Sequence, residues 1–385
     1  MRKKVCFVTG TRAEYGLLLP LMKAIEAESD FELQLLVTGM HLSPEFGLTY
    51  KLIEADGLKI DAKVDMLLSS DTAVGISKSV GIGIIGYTDA FAALNPDYVV
   101  ILGDRFEAFA AASAAYIAQF PIIHISGGET TEGATDEAFR HAITKMAYWH
   151  FTATEVYRKR VIQLGEDPAR VFNVGAIGID NIKKMERFSQ QELEASLSID
   201  LSRPTVLVTY HPVTLEKNTS RSQFQEIINA LLHFKDLQVV ITYPNADADG
   251  RVVIEMIQDT VKQYPDKFFA FQSLGQKRYL SLIPYVKAVI GNSSSGIVEI
   301  PSFHIPTVNI GDRQKGRIAA DSVLHVNPTS ADIIKGMEIA FSGEFMQKCK
   351  EIENPYGNGN TTEQMMKVFA GFTQIKNIQK QFYDL

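Results

Sequence analysis

Only two cysteines, Cys6 and Cys349, occur in 385 residues. They are too few and too far apart for a disulfide framework and point to a reducing compartment. No apolar run is long enough to cross a bilayer. The short one in MRKKVCFVTGTRAE stops at Arg12 and Glu14, so it reads as a first strand and not as a signal peptide. The expected location is the cytoplasm. No basic block is present and the net charge is −7, which argues against nucleic acid or an anionic membrane as partner. A G-x-G-x-x-G fingerprint, a Walker A lysine, H-E-x-x-H and C-x-x-C are all missing. Neither a dinucleotide, ATP nor zinc is implied, and no cofactor or metal is expected.

What the chain does have is length for two domains and the composition of a globular protein, 46% apolar and 22% charged. Val- and Ile-rich runs alternate with helical patterns. The first half offers VCFVTG (5–10), LQLLVTG (33–39), YVVILGD (98–104), IIHISGG (122–128), HFTAT (150–154) and VFNVG (171–175). The second offers TVLVTY (205–210), QVVITY (238–243), FFAFQ (268–272), AVIGN (288–292), PTVNI (306–310) and VLHV (323–326). Runs this continuous suit parallel strands buried on both faces. With helices between them they predict right-handed crossovers and two Rossmann-like, doubly wound α/β domains. The expected boundary lies at 176/177, where GAIGID brings two glycines. The second domain is expected over 177–370, with 183–204 helical. The C-terminal stretch is helical by pattern, and 371–385 is expected to pack back on the first domain.

In such sheets ligands bind beyond the carboxyl ends of the strands. Gly10 and Arg12 follow the first strand, and an Arg at a helix start suits an anion. Asp104 and Arg105 follow YVVIL; an Asp there can also be a simple helix cap. Glu129 and Asp136 follow IIHISGG. Acids in a first helical turn commonly complement the dipole, and Asp136 with Arg140 has the spacing of a surface pair. Each acid alone reads as structural. Gathered at neighbouring strand exits, they read as a proton donor and acceptor. In the second half His211 follows TVLVTY, and Asn245, Asp247 and Asp249 follow QVVITY. D-x-D there does not continue as a calcium loop. GNSSSG places Asn292, Ser293, Ser294 and Ser295 where a strand opens into a helix, a cradle for phosphate. Glu299, about one turn further, suits a ribose diol. NIGDRQKGR adds Arg313, Lys315 and Arg317, a local positive site in an acidic chain.

TGTRAEYG, VTGMH, GDRFE, GGE with DEAFRHAITKM, YHP, PNAD, GNSSSG and NIGDRQKGR, in this order, resemble the hydrolysing UDP-N-acetylglucosamine 2-epimerases of bacterial sialic-acid synthesis. The likeness covers nearly the whole chain. It implies the fold of B-type glycosyltransferases (GT-B), with a nucleotide sugar in the interdomain cleft, UDP and N-acetylmannosamine as products, no metal or nicotinamide, and a homodimer or homotetramer. It implies Arg12, His211, Ser293, Ser294 and Arg313 around the diphosphate, Asn245 close by, and Glu299 on the ribose. Asp104, Glu129 and Asp136 match acidic catalytic positions, and Arg105 and His41 line the sugar side. Many relatives carry a glutamate where this chain has Ser126, so either Glu129 takes that role or the proton path differs. Alternatives on the same pattern are a 2,4-diacetamido-6-deoxy sugar nucleotide, a non-hydrolysing epimerase, a glycosyltransferase, or a nucleotide-sugar sensor.

Overall fold

A computed structural model describes residues 2–68, 70, 72–131, 135–213, 219–244, 250–372, 375 and 377–385. The chain forms two compact units. One comprises Met1–Glu129, Asp136–Asn181 and Tyr356–Leu385, the other Thr130–Thr135 and Ile182–Pro355.

The first unit is built on β1 (Lys3–Thr9), β2 (Phe31–Thr38), β3 (Ala62–Val64), β4 (Tyr98–Leu102), β5 (Ile122–Ile125), β6 (Trp149–Thr152) and β7 (Val171–Asn173). They pair in parallel in the order β3-β2-β1-β4-β5-β6-β7. The strand order reverses between β1 and β4, which makes that gap the switch point where ligands bind. Side chains of β1 alternate between two cores. Val5 and Phe7 pack with Leu18, Leu21 and Ile25 of helix Arg12–Ala27, while Cys6 and Val8 pack with Ala108, Ala111 and Ala115 of helix Phe106–Ile117. All are buried, as a strand covered on both faces requires.

The second unit repeats the plan with β8 (Thr205–Thr209), β9 (Gln238–Thr242), β10 (Phe268–Phe271), β11 (Val286–Gly291), β12 (Thr307–Ile310) and β13 (Val323–Val326). Their order is β10-β9-β8-β11-β12-β13, again all parallel, with the reversal between β8 and β11. Each strand expected from the sequence is present. The edge strand β3, three residues of AKV, carries too little periodicity to be read.

Three expectations about organisation change. The units divide at 181/182, inside helix Gly178–Lys184, and not at a glycine hinge at 176/177. The stretch 183–204 is not one helix: Ser189 and Glu192 form a capping box that starts a separate helix, Gln190–Leu197. The return to the first unit begins at Tyr356, well before 371. It is made by helix Thr361–Ala370, whose Phe369 meets Phe31 edge-to-face at 5.9 Å. The carboxylate of Asp180, fully buried, accepts from Thr361 N (2.8 Å) and Thr362 N (2.7 Å) and so caps that helix from a distant part of the chain. Beyond Gly371 the described residues are not helical. There Lys380 Nζ donates to Ala147 O (2.6 Å) and Glu166 Oε2 (2.6 Å). Among the described residues no helix is long and apolar enough to cross a membrane.

Candidate active site

In the first unit, the exits of β1, β2, β4 and β5 carry the polar and charged side chains singled out in the sequence. Thr11 caps helix Arg12–Ala27, with Arg12 its first residue. Glu14 completes a capping box: its Oε2 accepts from Gly10 N (2.8 Å) and Thr11 N (3.1 Å). Burial, and then the charge of Glu107, push the Glu14 carboxyl up to about 7. The shift has a consequence for stability. Above pH 4.5, the ordinary value, an unfolded chain releases this proton while the native one keeps it until about 7. The native state therefore binds more protons in that window, and stability falls as pH rises through it. Glu14→Gln is expected to remove this slope. The difference between variant and wild-type urea midpoints should then grow in the variant's favour from pH 5 to pH 8, and a constant difference would contradict it.

Asp104 follows Gly103 at the exit of β4. Its Oδ2 pairs with Arg140 Nη2, and Arg140 Nη1 also donates to Glu137 Oε2 (3.3 Å). The sequence reading of Arg140 as a surface residue paired along its helix is corrected. Only 2% of its side chain is exposed, and it ties helix Asp136–Met146 to the exit of β4. Beneath Asp104, His124 of β5 reaches Gly103 O with Nε2 (2.8 Å) and Thr144 Oγ1 with Nδ1 (3.1 Å). Burial depresses this imidazole to about 3, so a neutral ring with Nε2–H donating to the carbonyl fits both contacts.

The next turn is tightly determined. Ser126 lies at φ +67°, rare for a residue with a Cβ, with its N–H on Phe151 O (2.9 Å). Gly128 lies at φ +76°, where a Cβ would sit 2.4 Å from Tyr157 O. Arg160 Nη1 donates to Gly128 O (2.7 Å). Glu129 leaves this turn buried, and Asp136 is the first residue of its helix and half-buried. Arg105 precedes helix Phe106–Ile117, and its Nε donates to Glu107 Oε2 (3.3 Å). His41, expected on the sugar side, has both ring nitrogens engaged within the protein. It is fully buried, with Nε2 on Thr9 Oγ1 (3.2 Å) and Nδ1 on Thr49 Oγ1 (2.8 Å). Burial lowers it to about 4, so it is a neutral strut between the exits of β1 and β2.

In the second unit the exits of β8 and β11 are locked together. Asn292 Oδ1 accepts from His211 N (2.7 Å) and Asn292 Nδ2 donates to His211 O (2.8 Å). Fully buried, Asn292 is thus a clamp on His211 and not a ligand-facing amide, which corrects its expected role. Gly291 at φ +134° permits this join, since a Cβ there would lie 2.0 Å from Thr209 O. Ser293 caps helix Ser294–Val298 and Ser294 is exposed. Five residues give only a weak dipole, so hydroxyls and Arg313 must supply most of any anion binding. Arg313 Nη1 donates to Asn292 O (3.3 Å). Ser295 Oγ shares a short hydrogen bond with Tyr279 and donates another to Glu299 Oε2. Burial raises the Glu299 carboxyl above its ordinary range.

The cationic trio of NIGDRQKGR is split. Lys315 and Arg317 line a cavity of about 530 Å³ that runs over β13 to His325 and Lys335, and Arg313 is not among its lining residues. Arg317 Nε also donates to Thr130 O (3.0 Å). Asn245, Asp247 and Asp249 lie outside the described residues. Sequence reasoning missed Glu14, Glu107, His124 and Tyr279. The capping-box spacing T-x-x-E marks Glu14 as a cap, and nothing in it marks an acid with a raised pKa.

A sequence profile of the family described as UDP-N-acetylglucosamine 2-epimerase matches residues 23–370. The chain is 41% identical over 346 residues to the GDP/UDP-N,N'-diacetylbacillosamine 2-epimerase (hydrolyzing) of Campylobacter jejuni, covering 90% of this chain and 89% of that protein. It is 37% identical to polysialic acid biosynthesis protein P7 of Escherichia coli, over 100% and 98%. Among solved structures, UDP-GlcNAc 2-epimerase from Neisseria meningitidis bound to UDP-GlcNAc superposes with a TM-score of 0.81 at 19% identity, over 96% of this chain and 100% of that one. At that identity the likeness speaks for the fold alone, a GT-B-like pair of α/β units.

Proposed function

The chain belongs to the UDP-N-acetylglucosamine 2-epimerase family and is an enzyme of its hydrolysing kind, and on that premise we propose that it converts a UDP-linked 2-acetamido hexose and water into UDP and the free sugar inverted at C2. The observation that carries this reading is Asp104, an acid held by a buried guanidinium at the exit of β4 with Glu129 and Asp136 following the next strand. In this reading the C1–O bond to UDP breaks as a carboxylate takes the C2 proton, leaving a glycal. Water then adds at C1, and an acid on the opposite face returns a proton to C2. Arg12, Arg313, His211, Ser293 and Ser294 stabilise the departing diphosphate. Glu299, one oxygen held by Ser295, accepts from the ribose hydroxyls. Lys315 and Arg317 contribute long-range attraction for the anion.

Two sugars fit. UDP-GlcNAc would give N-acetylmannosamine for nonulosonic-acid synthesis, and the relative of the polysialic acid route favours it. UDP-N,N'-diacetylbacillosamine would give a 2,4-diacetamido product, and the 41% identity to the Campylobacter jejuni enzyme weighs toward it. Incubation with each nucleotide sugar, with the products separated, decides between them. UDP with a free 2-epimer supports the proposal, an epimerised sugar still on UDP indicates a non-hydrolysing enzyme, and no turnover of either sugar overturns it. Arg313→Ala is expected to weaken UDP binding by roughly 1.5–3 kcal/mol, the scale of a charged hydrogen bond. Calorimetry showing unchanged affinity would remove Arg313 from the diphosphate site.

A further inference from the structure

We propose that Glu107 is a positioning residue of this reaction, holding the Arg105 guanidinium in place at the exit of β4; this rests on the reading of Arg105 as a sugar-facing group. An acid in the first turn of a helix ordinarily sits in water and complements the dipole. Glu107 does not. It is 2% exposed, it occupies the second position of helix Phe106–Ile117, and its carboxylate lies at the switch point of the sheet. A Cβ on Gly39 would come within 3.3 Å of Glu107 Oε1, and one on Gly10 within 3.4 Å of Glu107 Cβ. The exits of β1, β2 and β4 thus close around one acid.

Its two oxygens are unequal. Oε2 accepts from Arg105 Nε (3.3 Å), whereas Oε1 is buried with no hydrogen-bond partner among the described residues. Burying a carboxylate with one oxygen unpaired is unfavourable, so stability alone does not account for an acid here. Other groups face the same place. Glu14 on helix Arg12–Ala27 is repelled by Glu107, Tyr87 of helix Ala73–Leu94 is buried with its hydroxyl on Thr38 Oγ1 (3.0 Å), and His41 lies on the turn that begins at Gly39. Tyr87 and His41 are uncharged at neutral pH, and among the described residues Arg105 is the cation paired with Glu107. Arg105 is held on a second side by the Phe106 ring, 5.7 Å from guanidinium carbon to ring centre. A guanidinium held at Nε and against a ring has a defined plane.

The test is a double-mutant cycle in the full-length protein, read as release of free sugar and UDP. E107Q is expected to lower kcat at least about tenfold while UDP inhibition stays within about twofold, the pattern of an interaction made only in the transition state. R105Q should cost as much or more, and R105Q/E107Q should be no worse than R105Q, because a residue acting through another loses its effect when that other is gone. If R105Q is impaired and E107Q is either within twofold of wild type or additive with R105Q, Glu107 does not act through Arg105 and the inference falls alone. Wild-type turnover by R105Q would overturn both the inference and the placement of Arg105. If E107Q does not accumulate as folded protein, E107D takes its place in the cycle. It keeps the charge but shortens the reach to Nε, and the same loss and the same non-additivity are expected.

Discussion

Asp104→Asn is expected to lower kcat by about 10²–10⁴-fold, the range of a removed proton-transfer group, and to leave UDP affinity unchanged within about twofold. The carboxamide has the shape of the carboxylate, and its oxygen can still accept from Arg140 Nη2. The loop at Gly103, held from below by His124, has no reason to move. What the amide cannot do is take a proton from carbon. Steady-state kinetics and UDP calorimetry on the same preparation separate the two properties. A parallel fall in turnover and affinity would mean that Asp104 organises the site and does not move a proton.

Arg140→Met should be strongly destabilising, costing about 3 kcal/mol, the low end for breaking a buried ion pair. The guanidinium is 2% exposed, whereas its partners Asp104 and Glu137 are 17% and 24% exposed and would recover some hydration. Methionine fills much of the arginine stem's volume, so the loss reports on charge and not on a cavity. Turnover should fall too, because Asp104 loses the group that fixes its plane. Urea unfolding that matches wild type within about 0.5 kcal/mol, the span of an ordinary surface substitution, would show that the pair is not structural.

These two residues also show how far the sequence could be read. The parallel sheets were legible because strands covered on both faces are apolar without interruption, as in VCFV and YVVIL. Asp104, Glu129 and His211 could be placed at strand exits because polar residues stand out where an apolar strand ends. Arg140 could not be read as buried, since i,i+4 spacing to an acid looks the same on a wet helix face and on a buried one. His41 and Asn292 were harder for the opposite reason. Both follow strand exits, yet their polar atoms are spent on Thr9, Thr49 and the His211 backbone. A pattern can say that a residue is near the chemistry, but only packing says which way its donors point. The long helix Ala73–Leu94 escaped because its glycines and apolar residues have little one-sided pattern, although it packs on the next helix of the chain, the alanine-rich Phe106–Ile117.

The threading of the chain carries a consequence for its synthesis. A ribosome makes every residue of the second unit before it reaches Tyr356, yet the first unit's largest aromatic cluster still lacks Phe369 and Phe372 at that moment. The half begun first is therefore the half completed last. Its hydrophobic interior can be completed only once the closing helix has been made, so the order of synthesis and the order of core completion run opposite ways.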